Sequence, residues 1–414
     1  MKNKYTRVKL GCYTTNVSMA VVGNLPPVLF LTFRSLYGIS YSLLGLLVLI
    51  NFFTQLSIDL VFSFFSHKFN IPKVVKFTPV LTVLGLLIYA TMPVLFSSSA
   101  YFWLVLGTVV FSVSGGLSEV LISPTIAAIP SENPEREMSK LHSIYAWGVV
   151  AVIIITTLFL LAFGSKYWYI LALAFSIVPL LASVFFFGSE VPSVETEGRT
   201  LRVKEFLKDR GLWLCVFAIF FGGASECIMA QWSSSYIEKA LGISKVWGDI
   251  FGVAVFALAL GLGRSLYAKF GKNIGRVLLL GAIGATACYL IAAISNIPVL
   301  GLIACAFTGF CVSMLWPGSL IVASDKFPSG GVFIYAMMAA GGDLGASVGP
   351  QLVGVVTDVT IASPTLTRFA VKLGLTAEQL GMKLGMLVGM IFPLIAILIF
   401  AIIRKAERKK QRLL

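Results

Sequence analysis

The chain has 414 residues, 58% hydrophobic and only 12% charged, with a mean hydropathy of +0.93. Soluble domains carry about 25% charged residues, so this composition excludes a soluble globular protein and marks an integral membrane protein. The net charge of +14 comes from basic residues scattered between apolar stretches and in the tail Arg404 to Arg412, a pattern that points to membrane topology and anionic lipid and away from nucleic acid.

Along the chain, apolar stretches near the ~20 residues that cross a bilayer as a helix occur at 11–34, 40–66, 71–95, 99–128, 138–163, 166–188, 211–238, 246–269, 273–296, 298–322, 331–358 and 380–403. Twelve spans place both ends on one face of the membrane, and lysine plus arginine decide which. With the amino terminus inside, the inner segments hold 24 of the 32 basic residues and the outer loops hold seven (Arg34, Lys166, Lys239, Lys245, Arg368, Lys372, Lys383), with Arg264 inside a span. Both termini are therefore expected in the cytoplasm, in a multi-pass protein of the cell membrane. The apolar stretch after the basic amino end is too long for a signal peptide and lacks a small-residue cleavage site, so span 1 is expected to stay in the mature protein.

In the first half, span 1 carries Asn16, Asn24 and a Pro26-Pro27 pair that marks a bend. Span 2 carries Asn51, Gln55 and Asp59, the last about two turns from a basic segment. Span 4 carries Glu119 one turn before Ser123 and Pro124; proline frees a backbone carbonyl that a polar side chain or water must satisfy. His142 enters span 5 with Tyr145 one turn on. Unperturbed histidine titrates near ~6.5, which suits a relay with Glu119, and the competing reading is a structural histidine at the interface. The polar segment 189–210 then mixes acids and bases and divides the chain into 1–188, a linker, and 211–414.

In the second half, Glu226 lies roughly fifteen residues into span 7, near the midplane at ~1.5 Å per residue. Gly222, Gly223 and Ser225 precede it, and Gln231, Trp232 and Ser233 follow. Desolvation favours the neutral form of a carboxyl group, as a proton carrier requires. Span 8 carries Arg264, span 10 carries Trp316-Pro317, and span 11 carries Asp343 within Gly341-Gly342-Asp343-Leu344-Gly345. An isolated arginine at that depth needs a counterion, for which Glu119 and Asp59 are the expected partners. Ionisable groups inside spans are costly and usually mark a substrate or proton path, the alternative being interhelical contacts that only fix packing. Depth separates them into a mid-membrane pair, Glu226 and Asp343, and a cytoplasmic-side set, Glu119, Asp59 and Arg264. Asn16, Asn24, Asn51, Gln55, Gln231, Trp232 and Trp316 are candidates for holding a polyol, because amides read hydroxyls and aromatic faces stack on sugars. The competing roles are helix contacts for the amides and the interfacial belt for the tryptophans. The six cysteines all fall in spans without a CxxC pair, as packing residues do.

The two halves repeat. Gly38-Ile39-Ser40, Lys68-Phe69 and Ile71-Pro72-Lys73-Val74 return as Gly242-Ile243-Ser244, Lys269-Phe270 and Ile274-Gly275-Arg276-Val277, and Ile144-Tyr145-Ala146 returns as Ile334-Tyr335-Ala336. Many transporters are built from such repeats. The segment Leu266 to Lys272 after span 8 resembles the signature loop of the major facilitator superfamily, with a degenerate first copy at His67-Lys68-Phe69-Asn70 and Ala268 at the acidic position. The resemblance implies an all-α membrane fold of two six-helix bundles. Within the superfamily the chain is similar to the fucose:proton symporter and glucose/galactose permease-like branch, through the helix 4 acid followed by Leu141-His142 and Trp147-Gly148, Glu226 with Trp232, Gly263-Arg264, and Leu315-Trp316-Pro317 before the Gly-Gly-Asp cluster. That branch implies coupling of proton to sugar through Glu119, and the superfamily implies a cytoplasmic gate at Asp59 and Arg264. Helix 1 departs from it, having Asn16 and Asn24 but no carboxylate.

These features predict a secondary transporter, with proton-coupled uptake of a small polar solute such as a sugar as the leading function and proton-driven export of amphipathic compounds as the alternative. Amides and tryptophan around the acids favour the first; phenylalanine and methionine favour the second. No nucleophile and base pairing, metal-ligand spacing or phosphate-cradling loop is present, so an enzyme is not expected. The expected partners are a small-molecule substrate, protons and the bilayer, with no cofactor, no metal and a monomeric assembly.

Overall fold

A computed structural model describes residues 5–65, 68–131, 134–192, 207–271, 273–327 and 331–411, and the regular structure among these residues is helical throughout. Eleven helices are long and apolar enough to cross a membrane, and a bent pair supplies a twelfth. The spans are 1 (Thr6–Val28 and Phe30–Tyr37), 2 (Tyr41–Phe65), 3 (Ile71–Leu95), 4 (Ala100–Ala127), 5 (Pro134–Phe163), 6 (Trp168–Phe175 and Ile177–Phe186), 7 (Arg210–Leu241), 8 (Lys245–Trp247, Gly248–Ala254 and Val255–Phe270), 9 (Ile274–Ile294), 10 (Pro298–Val312 and Leu315–Lys326), 11 (Gly331–Ala362) and 12 (Ala377–Gly389 and Ile391–Gln411). A short helix, Pro364–Lys372, lies between spans 11 and 12. The sequence-predicted linker falls mostly outside the described residues.

Local chemistry sets the helix ends, and it repeats between the halves. Spans 1 and 7 both close on a left-handed glycine, Gly38 with φ 65° and Gly242 with φ 66°, a conformation that a Cβ disfavours. Spans 3 and 9 both open on an asparagine whose side chain accepts from the N–H three residues on, Asn70 from Lys73 at 3.1 Å and Asn273 from Arg276 at 2.9 Å. Such caps satisfy N–H groups that a helix cannot satisfy itself. Span 1 bends by 50° after Pro26 and Pro27, each of which removes a backbone bond.

The chain packs as two compact units, residues 1–39 with 50–199 and residues 40–49 with 200–414. The start of span 2 groups with the second unit. Its anchors are specific. The N–H groups of Tyr41 and Ser42 donate to the Asp358 carboxylate at 3.2 and 2.6 Å, and the Tyr41 hydroxyl donates to Glu378 at 2.7 Å. A carboxylate at a helix N-terminus is favourable because the free N–H groups there carry partial positive charge.

In the first unit, spans 3 and 4 approach so closely that a Cβ on Gly85 would lie 2.5 Å from the Phe111 nitrogen. Phe33, Tyr89, Phe111 and Trp168 pack edge to face beside them. In the second unit, spans 7 and 11 meet along a glycine seam: Gly341 faces Val216, Gly345 faces the Phe220 carbonyl and Gly349 faces Ile228. Small residues permit this approach where lipid provides no hydrophobic drive between helices. All six cysteines are free and all but Cys227 are buried.

Candidate functional site

The second unit gathers polar groups from four spans. The Arg264 guanidinium on span 8 donates through Nη2 to both Glu226 carboxylate oxygens on span 7, at 3.2 and 3.3 Å. Its Nε donates to the Ser313 carbonyl at 3.0 Å. Pro317 lies four residues beyond Ser313 and has no N–H to offer that carbonyl, so the break in span 10 creates an acceptor that the arginine takes. The Arg264 side chain is 43% exposed and that of Glu226 18%, so the pair is open on one side. Asp343 on span 11 is buried at 4% exposure. Glu226, Asp343 and Arg264 all act electrostatically on the Cys227 thiol, which places the three in one neighbourhood. Trp316 lies half-buried over Gly223 and Gly342, whose missing side chains leave room for its ring.

Arg264 was expected to answer Glu119 or Asp59; within its own unit it pairs with Glu226. The sequence reading set Glu226 and Arg264 apart by depth, and their side chains touch. Counting residues along separate helices gives no rotation about their axes, and the vacant Ser313 carbonyl draws the guanidinium.

Trp232, a candidate for stacking on a solute, lies in the packed interior of the second unit. It is fully buried, its Nε1 donates to the Pro350 carbonyl at 2.9 Å, and its ring packs 5.9 Å from that of Tyr41. Gln231 is 8% exposed, and its amide makes no hydrogen bond among the described residues.

The first unit carries its own polar stripe. Asn51, Gln55 and Asp59 follow each other at four-residue spacing on span 2, so they share a face. Opposite them on span 4 stand Ser112, Gly115, Gly116 and Glu119. Gln55 Nε2 and Ser112 Oγ donate to Asn51 Oδ1 at 3.1 and 2.6 Å, and Gly115 and Gly116 let Gln55 and Ile58 come close. Carboxylate oxygens of Asp59 and Glu119 lie within 4.8 Å of each other, Asp59 buried and Glu119 exposed. Within its own unit Asp59 therefore has a carboxylate for a neighbour.

Other expected residues do different work. Asn16 donates to the Leu141 carbonyl at 2.7 Å and ties span 1 to span 5; Asn24 donates to its own helix at Ala20, 2.9 Å away. Tyr145 is 37% exposed. The side chain of His142 lies outside the described residues.

Sequence reading missed two buried charges. Asp249 has no exposure and sits in a π-helical turn, Gly248–Ala254, where Lys245 reaches it at 3.1 Å and the Ser234 hydroxyl donates to it. Such turns recur at functional sites. Lys383, counted among the outer loops, is 6% exposed within span 12 and donates to the Ser295 carbonyl. Both lie near span ends, where hydropathy does not separate a buried charge from a solvated one.

A family model described as Major Facilitator Superfamily matches residues 12–350. The chain belongs to the major facilitator superfamily. It is a multi-pass membrane transporter and not an enzyme. Solved structures share its fold at low identity. A D-xylose-proton symporter is 14% identical over 96% of this chain and 97% of its own, with a TM-score of 0.72. A bacterial homolog of the human lysosomal transporter Spinster is 14% identical over 98% of both chains at 0.69. The E. coli fucose:proton symporter is 14% identical over 95% of this chain and 99% of its own at 0.59. No curated protein sequence matches the transporter.

Proposed function

We propose that the transporter takes up a small polar solute such as a sugar together with protons, by alternating access in the cell membrane with both termini cytoplasmic. The observation that carries this reading is the partly exposed Glu226–Arg264 pair inside spans 7 and 8. An ionised Glu226 neutralises Arg264. A proton on Glu226 removes the ionic part of that attraction and weakens the hold on the guanidinium, so its donors can turn to a solute oxygen. Trp316 supplies a stacking face and Gln231 an amide free to read hydroxyls.

The first unit supplies a second place for the proton. If Asp59 and Glu119 were both ionised at 4.8 Å or less, they would repel by at least about 3 kcal/mol at an effective dielectric near 20. One proton between them relieves this, and Glu119 is the exposed member of the two. Asn51, Gln55 and Ser112 beside them favour a hydroxyl-bearing solute over an amphipathic drug. The proton-symporter relatives among the solved structures support the same reading.

The test is uptake into proteoliposomes across a sugar panel, with and without an inward proton gradient. Glu226→Gln should abolish gradient-driven accumulation while the protein still elutes as the wild type does. Unchanged proton-coupled uptake in that variant overturns the assignment, and proton-driven loss of lipophilic cations from loaded vesicles would favour export instead.

A further inference from the structure

On the first unit, away from the polar stripe, a groove of about 470 Å³ opens between spans 1, 3 and 6. Its walls are Val80 and Val83 on span 3 and Leu180, Val184 and Phe187 at the end of span 6, with Arg7 at one end. Ser183 also lines it, but its hydroxyl already donates to the Pro179 carbonyl at 3.0 Å. Large apolar side chains stand exposed all around it, among them Phe77, Leu84, Leu181 and Val184. In a membrane protein such a surface faces hydrocarbon, so the groove opens to lipid and not to water.

Its charged end is what makes it selective. Arg7 uses Nη2 to hold the Val184 and Phe187 carbonyls at 2.9 and 3.4 Å, which completes the end of span 6. Its Nε and Nη1 make no hydrogen bond among the described residues. Lys76 stands one turn before Val80 on span 3, on the same helix face, and likewise has no partner among the described residues. Arg7 thus sits at one end of a groove whose walls are aliphatic and aromatic, with Lys76 on the turn of span 3 before Val80.

We infer that this groove is a binding site for an anionic glycerophospholipid of the leaflet facing the amino terminus. One acyl chain lies along Val80, Val83, Leu180 and Val184, and the phosphate sits against Arg7 and Lys76. Arginine suits that place because its fork of donors serves span 6 and a phosphate at once.

The experiment measures how strongly spin-labelled phosphatidylglycerol and phosphatidylcholine associate with the full-length protein reconstituted in phosphatidylcholine bilayers. The wild type should prefer phosphatidylglycerol. Arg7→Gln should cut that preference about fivefold, the effect of one basic side chain at a membrane surface, while Arg7→Lys keeps most of it. Val184→Trp retains Arg7 but fills the groove, and it should lower phosphatidylglycerol association just as clearly. Equal association of the two lipids with the wild type overturns the site. So does a Val184→Trp protein that binds phosphatidylglycerol as the wild type does, since the charge alone would then explain the preference. Should Arg7→Gln fail to fold, the Val184→Trp result decides.

Discussion

Breaking the Glu226–Arg264 pair separately from each side tests whether the two residues act on each other. At 3.2 Å two unit charges attract by about 1.3 kcal/mol in water and about 5 kcal/mol at an effective dielectric near 20. The side chains are 43% and 18% exposed, and the contacts of 3.2 and 3.3 Å exceed the ~2.7–2.9 Å of the strongest charge-assisted bonds. Solvent screening and this geometry place the coupling near 2 kcal/mol. Glu226→Gln leaves an amide oxygen for Arg264 to reach, so it removes charge with little change of shape, and Arg264→Gln does the same from the other side. In a double-mutant cycle the double variant should be about 2 kcal/mol more stable than the sum of the single losses predicts. Equilibrium unfolding read by a thiol-reactive dye suits this protein, because its cysteines are free and all but one are buried. Additivity within about 0.5 kcal/mol would show that the two charges do not stabilise each other, and the proton-coupling role built on them would fall.

Two further outcomes are expected. A methyl at Gly345 would overlap the Phe220 carbonyl oxygen across the seam of spans 7 and 11, so Gly345→Ala should lower stability by at least about 2 kcal/mol in the same unfolding measurement; a variant within 0.5 kcal/mol of wild type, a margin typical of surface substitutions, would mean that the seam is not tight. Glu137, before the apolar part of span 5, accepts from the Tyr13 hydroxyl at 2.7 Å and pairs with Lys9 at 3.0 Å. These contacts, the Tyr13 bond first, hold its carboxyl below the usual range. A carboxyl lowered by folding adds stability above its unfolded value near ~4.3 and loses it as pH falls through the folded value. Glu137→Gln should therefore cost at most about 1 kcal/mol at neutral pH, and a pH series of unfolding curves should show that difference vanish below the carboxylate range; a difference that persists at low pH would refute it.

Much of this transporter was legible without its structure, for one reason. A chain in hydrocarbon must satisfy its backbone internally, so each span has to be a helix of predictable length and apolarity. Its ends are written in local chemistry, as in the glycines at 38 and 242 and the asparagines at 70 and 273. The same rule explains why the intramembrane acids stood out: at 12% charged residues, a carboxylate inside a span is conspicuous.

Depth along a helix is a one-dimensional quantity, however, and partnership is not. Only the tertiary structure joined Arg264 to Glu226, through a glycine-lined approach of helices and a carbonyl left vacant by Pro317. It brought Asp59 to Glu119 because Gly115 and Gly116 let spans 2 and 4 meet there. It turned Trp232 inward onto Pro350 and left Trp316 half-buried beside the pair. The sequence by itself determined that this is a membrane transporter with charges inside its spans, because composition and periodicity are set residue by residue. Which charges answer one another was decided by helix rotation and close packing, which no single span contains.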